Sequence, residues 1–391
     1  MARFQSGTEI REVVRAGDDL VARRDYVDSQ RELLATGWQR VRDPAREPDY
    51  PDDPRDDALE RALHDSPDDD QIWLVYADRF IELGHPRGQL MAIESAPVKN
   101  IVQRAEREAD THRLRNAAAA TLIGPLVGRA GLSLKWRRGF IDHAKLHGSF
   151  ALGTAEDVLF ELLRHPSARF LRELTIACTH HDAQDHRLLV DLLLHASAAP
   201  PLRKLSIEYD SDDWHGFPPL GRLGTLGTIY PQLEDVRIEG DNTSVLTDLA
   251  LPRAKTFAFN TSALEPRTLR AIAAAPWPVL EEIELWLGHS ACTIDDVRFV
   301  LALPELRRLR ILASELALEL VQLLVASPIA AQITLLDFQH GAFTEHGVDM
   351  LVDARDRFPA NLTCYLPRAQ ISQAAFDRLV DAGVTIERWW W

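Results

Sequence analysis

One short spacing keeps returning along this chain, and it constrains the fold more than any other feature. In Pro201-Leu202-Arg203-Lys204-Leu205-Ser206-Ile207-Glu208, the residues Leu202, Leu205 and Ile207 stand at L-x-x-L-x-L. Leu171, Leu174 and Ile176 repeat it, as do Leu233, Val236 and Ile238, then Leu280, Ile283 and Leu285, then Leu306, Leu309 and Ile311. Weaker copies begin at Ile141, Ala254, Ile333 and Leu362. Successive copies start 30, 31, 31, 21, 26, 26, 27 and 29 residues apart. Alternating apolar residues over a few positions make a strand with one buried face. A unit of this length cannot bury that face alone, so the copies must stack into a quasi-one-dimensional array.

Between the strands the apolar period changes to that of a helix. Helices are predicted over 155–165, 184–196, 266–275, 295–303, 315–326, 345–357 and 373–382. The step from Leu233 to Ala254 is too short for one, and residues 211–230, rich in Gly and Pro, read as an exposed excursion. The strand–helix alternation resembles leucine-rich repeats of the ribonuclease-inhibitor type. That resemblance implies an irregular solenoid with parallel strands on the concave face and helices on the convex face. The usual Asn ladder is missing: its positions hold Thr179, Asp210, Asp241, Ser262, Gly288, Ser314 and Gly341. The fold class predicted is therefore α/β, an N-terminal helical domain followed by this solenoid over 131–391.

The part before the repeats divides by composition. Residues 1–42 read as an N-terminal helix over 8–41, with Ile10, Val13, Val14, Leu20, Val21, Leu33, Leu34 and Val41 as its apolar positions. Residues 43–57 are rich in Pro and Asp and read as an acidic linker, since so few apolar groups cannot offset the entropy of ordering. Residues 58–130 read as a helical domain, with Ser66-Pro67-Asp68 as a helix-start signal, and a long charged helix over 97–123 bridges it to the repeats.

Within that domain stand Pro67-Asp68-Asp69-Asp70, Leu74-Val75-Tyr76-Ala77-Asp78, Gly84 and Pro86-Arg87-Gly88. Trp136-Arg137-Arg138-Gly139-Phe140-Ile141 follows. These residues resemble the core of the bacterial repeat-companion domain family and the Arg-Gly-Phe entry to the repeats that often follows it. The sequence departs from the family pattern at Arg79, His85 and Gln89. The resemblance implies a helical module placed before leucine-rich-type repeats and carries no catalytic role. From the residues themselves, Asp78 and Arg87 flank the Gly84–Pro86 turn and are expected to form an orienting ion pair across a helical hairpin.

Charge narrows the partners. The chain has 391 residues and a formal net charge of −15, opposite to the basic face that nucleic-acid binding needs. From Asp43 to Asp70 there are 12 acidic and 3 basic residues. No stretch approaches the ~18 apolar residues of a membrane span, and MARFQSGTEI lacks a secretory apolar run. Cys178, Cys292 and Cys364 are far apart, which suits a reducing cytosol, so a cytoplasmic protein without cofactor is expected.

Two constellations are candidates for function. Cys178, His180, His181 and His186, with Asp182 and Asp185, form the one dense group of metal-ligand types, although a buried Cys beside a polar loop explains most of it. The other lies between the core residues of the repeats. Stacking brings Glu282 beside Arg308, Glu284 beside Arg310, and Trp286 beside Leu312, with Leu335 next in the first row. Charge pairing alone keeps a sheet soluble, but Trp286, Leu312 and Leu335 add the apolar centre that a partner-binding patch needs. The Trp389-Trp390-Trp391 terminus is a rival patch or a closing strand. No residue is nominated as catalytic. The function read here is a non-catalytic protein-recognition module. The alternatives are a target, substrate or inhibitor of a protease or other enzyme in a signalling or defence pathway, and a metal-dependent enzyme using the Cys178–His186 cluster.

Overall fold

A computed structural model describes residues 1–16, 20–41, 54–180, 185–196, 199–209, 217–241, 246–367 and 370–387. The chain divides into two units. Residues 1–183 and 191–202 make the first, and residues 184–190 and 203–391 the second.

The first unit opens with β1 (Ala2–Ser6), β2 (Glu9–Val13), α1 (Leu20–Ala35) and β3 (Gln39–Val41). The three strands form an antiparallel sheet in the order β2-β1-β3. This corrects the continuous helix expected over 8–41: only Leu20–Ala35 is helical. Gly7 has φ +58°, a turn that joins β1 to β2, and strand pairing with β1 rather than helical period places Ile10 and Val13. Residues 43–53 of the expected linker lie outside the described residues.

Next come α2 (Asp57–Asp65), α3 (Asp70–Glu82), α4 (Pro86–Ser95), α5 (Ile101–Ala117) and α6 (Ala119–Ile123). The cap of α3 is Asp69, whose side chain accepts from the Gln71 and Ile72 amides, so the helix starts three residues later than a Ser66 cap implies. Helices α3 and α4 cross closely. A Cβ on Gly88 would sit 2.6 Å from the Ile81 nitrogen and 2.8 Å from the Ala77 oxygen, so only glycine fits there. Leu63, Trp73, Tyr76, Ala77, Phe80 and Met91 form one buried cluster. Phe140 and Phe170 complete it, arriving from outside the helices.

Phe140 begins β5 (Phe140–Phe150), which pairs antiparallel with β4 (Leu132–Arg137). The turn between them needs Gly139 at φ +73°, and Arg138 there is at φ +51°. After α7 (Thr154–Arg164), strand β6 (Glu173–His180) pairs parallel with β5, from His143 opposite Glu173 to Phe150 opposite His180. Helix α8 (Arg187–Leu194) follows.

The second unit alternates strand and helix. Its elements are β7 (Lys204–Ile207), α9 (Leu226–Ile229), β8 (Asp235–Glu239), β9 (Thr256–Asn260), α10 (Pro266–Ala274), β10 (Glu282–Trp286), α11 (Ile294–Val297), β11 (Arg308–Leu312), α12 (Ala317–Ala326), β12 (Leu335–Asp337), α13 (Glu345–Asp353), β13 (Thr363–Tyr365), α14 (Gln373–Asp381) and β14 (Thr385–Ile386). Strands β4–β14 belong to a mostly parallel 11-stranded sheet. Inward residues of the repeated spacing are wholly buried: Leu205, Val236, Phe257, Ile283, Leu309 and Leu336 are each 0% exposed. Helix residues at helical spacing join them, such as Leu320, Val321 and Leu324 on α12.

Two expectations shift. The last copy is one residue shorter than read, because Leu336 lies opposite Cys364 and not Tyr365. In the segment read as an exposed excursion, Leu220, Leu223, Leu226 and Tyr230 are buried. Among the described residues no helix lies between β8 and β9, as the short step predicts. No helix of the described residues is long and apolar enough to cross a membrane.

Candidate recognition face

In a strand, successive side chains point to opposite faces. With Leu205, Ile207 and their counterparts turned toward the helices, the residues between them form the opposite, outward face of the second unit. The register sets their neighbours. Glu282 lies opposite Arg308 and Thr256, Glu284 opposite Arg310 and Ala258, and Trp286 opposite Leu312 and Asn260. Beyond β11, Arg308 faces Leu335 and Arg310 faces Asp337.

These residues form one network. Arg308 Nε stands 2.7 Å from Glu282 Oε2, Arg310 Nε 3.2 Å from Glu282 Oε1, and Arg310 Nη1 2.9 Å from Asp337 Oδ2. Arg237 of β8 reaches past β9 to Glu282 at 3.7 Å and Glu284 at 3.6 Å. It can do so because β9 presents only Thr256 and Ala258 there. The Arg310 guanidinium also lies 5.6 Å from the Tyr365 ring centroid. Glu282 is 6% and Asp337 1% exposed, so the network is half-sunk in the face rather than a loose surface array. Burial pushes the Asp337 carboxyl up from its ordinary range, against the opposing pull of the Gln339 amide and Arg310.

The apolar centre differs from expectation. Leu312 is buried at 9% and Leu335 is half-buried. Trp286 extends beyond Leu312 and stacks on His340, with ring centroids 5.2 Å apart and planes 24° apart. The three residues therefore do not form an open apolar patch; the indole is half-buried and already has a ring partner. His340 was not nominated by the sequence. It sits in the loop after β12 at φ +59°, a left-handed turn that strand periodicity does not encode.

The other nominated residues are dispersed. Asp78 is exposed on α3. Arg87, 1% exposed, donates instead to the Gly139 carbonyl and, at 2.9 Å, to Ser167 Oγ, and its guanidinium lies 4.2 Å from the Phe140 ring centroid. The structure thus does not bring Asp78 and Arg87 together; Arg87 clamps the β4–β5 turn. Asp68 and Asp70 pair with Arg137 and Arg138 of that same turn. Within the metal-type cluster, Cys178 and His180 face the buried side of β6, and His180 Nε2 stands 3.2 Å from Glu156 Oε1. Burial, and then the Glu156 charge, push the Cys178 thiol up to about 12, which leaves it unreactive near neutrality. His186 is buried in the second unit, and His181 lies outside the described residues, as do Trp389, Trp390 and Trp391. No group of three or more His, Cys, Asp or Glu among the described residues is arranged to hold a metal ion.

Comparison with known proteins bears on the fold. No family model and no curated protein matches the chain. A crystal structure of a Bacteroides fragilis protein from a structural-genomics consortium is similar to it, with a TM-score of 0.52 and 17% identity over 74% of this chain and 85% of that one. At that identity the likeness is one of fold alone.

Proposed function

We propose that this chain is a non-catalytic protein-recognition module of the bacterial cytosol, built as a repeat-companion helical domain followed by an irregular leucine-rich-repeat solenoid. In this reading the outward sheet face of the second unit is the concave face, and a protein partner lies along it. The observation that supports it is the network of Arg237, Glu282, Glu284, Arg308, Arg310 and Asp337 on that face, ending in the Trp286–His340 stack. Fixed charges around a large ring give specificity to an interface. The buried thiols of Cys178, Cys292 and Cys364 offer no nucleophile.

The test uses immobilised full-length protein exposed to cytosol of the source cell. A protein retained by the wild type is expected to be lost from Arg310→Ala and Trp286→Ala, the latter weakening it by about 2 kcal/mol or more. It should be kept by Leu74→Ala/Val75→Ala, which alters the exposed side of α3. The reverse pattern sinks the reading and moves recognition to the helical domain.

A further inference from the structure

The carboxylates of the outward face are not equally matched. Asp235 lies within 3.4 Å of Lys204 and 3.3 Å of Arg237. Glu282, Glu284 and Asp337 each have an arginine. Glu208 and Glu239 have no cationic partner among the described residues. What they have is neutral: the Ser206 hydroxyl donates to Glu208 at 2.6 Å, and the Tyr209 amide donates to Glu239 at 2.8 Å.

The two acids are close. Ile207 lies opposite Ile238, so Glu208 stands level with Glu239 on the neighbouring strand, at a strand spacing of about 4.8 Å. Burial, with the charges of Glu208 and Glu284, pushes the Glu239 carboxyl up. Both residues are half-buried, so water reaches them on one side only. A cation placed between them would relieve the repulsion and favour the charged form of Glu239. The row continues through Asn260, which donates to Glu284 at 3.0 Å, to Trp286 on β10. From Glu208 to Trp286 is three strand steps, roughly 14 Å, which an extended polypeptide covers in about four residues.

We propose that this face takes an extended polypeptide segment bearing arginine or lysine, with one cationic side chain seated between Glu208 and Glu239 and the segment running along the row toward Trp286. The inference rests on the recognition reading and specifies its partner as a basic segment. Arginine suits the seat best, because a planar guanidinium donates to two carboxylates at once.

A fluorescein-labelled peptide of alternating arginine and serine is the probe, titrated into full-length protein at physiological ionic strength and read by anisotropy. Glu208→Gln/Glu239→Gln is expected to weaken it at least ~tenfold. Glu106→Gln/Glu108→Gln, the same charge change on the exposed helix α5, should alter it less than about twofold, the effect of distant screened charge. Equal responses of the two variants overturn the proposal, since they show attraction to net charge alone. Spermine binding as tightly as the peptide, with the same variant dependence, also overturns it, in favour of a small polyamine. Equal peptide responses together with loss of a cytosolic partner from Trp286→Ala would remove the basic segment while leaving the recognition reading standing.

Discussion

Phe140→Ala is expected to cost the first unit about 3–5 kcal/mol. The ring is 1% exposed and enters the helical cluster from the sheet side. It stacks on Tyr76, with centroids 6.2 Å apart and planes 4° apart, and lies edge-on to Phe170 at 4.8 Å. The guanidinium of Arg169 lies 4.8 Å from its centroid, and that of Arg87 also packs against it. Removing it leaves a cavity between two arginines, and a cavity so lined loses both transfer energy and cation–π attraction. Amide hydrogen exchange in α3, around Tyr76–Phe80, reports the loss directly. Unchanged protection there would mean that the cluster is not what joins the helices to β5.

Leu205→Ala and Leu309→Ala are each expected to destabilise the second unit by about 2–5 kcal/mol. Both are 0% exposed and lie at the same position of the repeated spacing, with Leu205 opposite Val236 and Leu309 opposite Ile283 and Leu336. Packed strands on both sides leave little room for collapse, so the cavity persists. Denaturant unfolding monitored on the intact chain checks it. If neither substitution moves the midpoint, the inward register is wrong.

The strand ladder was legible because it is set by local period. Leucines two and three apart fix which face is buried, and parallel stacking of equal units fixes the neighbours. Glu282–Arg308 and Glu284–Arg310 therefore follow from counting residues. What was not legible depends on contacts distant in sequence or on single backbone turns. Arg87 looked like the partner of Asp78 because the two flank one turn, yet its donors meet Gly139 and Ser167, 52 and 80 residues away. His340 joins Trp286 through a positive φ that no periodicity announces. The first strands were hidden because β1 is only five residues long and β2 is almost wholly exposed, so that Ile10 and Val13 of β2 also fit a helix. Arg237 was visible as a strand residue, but its reach past β9 depends on Ala258 being small.

The helical motif is also better understood from packing than from chemistry. Tyr76 donates to Glu60 at 2.6 Å, and Arg55 and Arg169 flank the same carboxylate. Burial raises the Glu60 carboxyl, but these partners outweigh it and hold the group below its ordinary range. Tyr76 and Arg87 thus serve to seat the β4–β5 turn, and Ala77 and Gly88 the close crossing of α3 and α4, whereas Leu74, Val75 and Asp78 remain on the exposed side of α3.

Site-specific photo-crosslinking in the source cell tests the central claim most directly. A benzophenone side chain placed at Thr363 or Gln339 reports on the outward face, and one at Glu319 of α12 or Leu74 of α3 reports on the helices. The account predicts a discrete crosslinked protein from the two outward positions and none from the helical ones. A crosslink obtained only from Glu319 or Leu74 would contradict it.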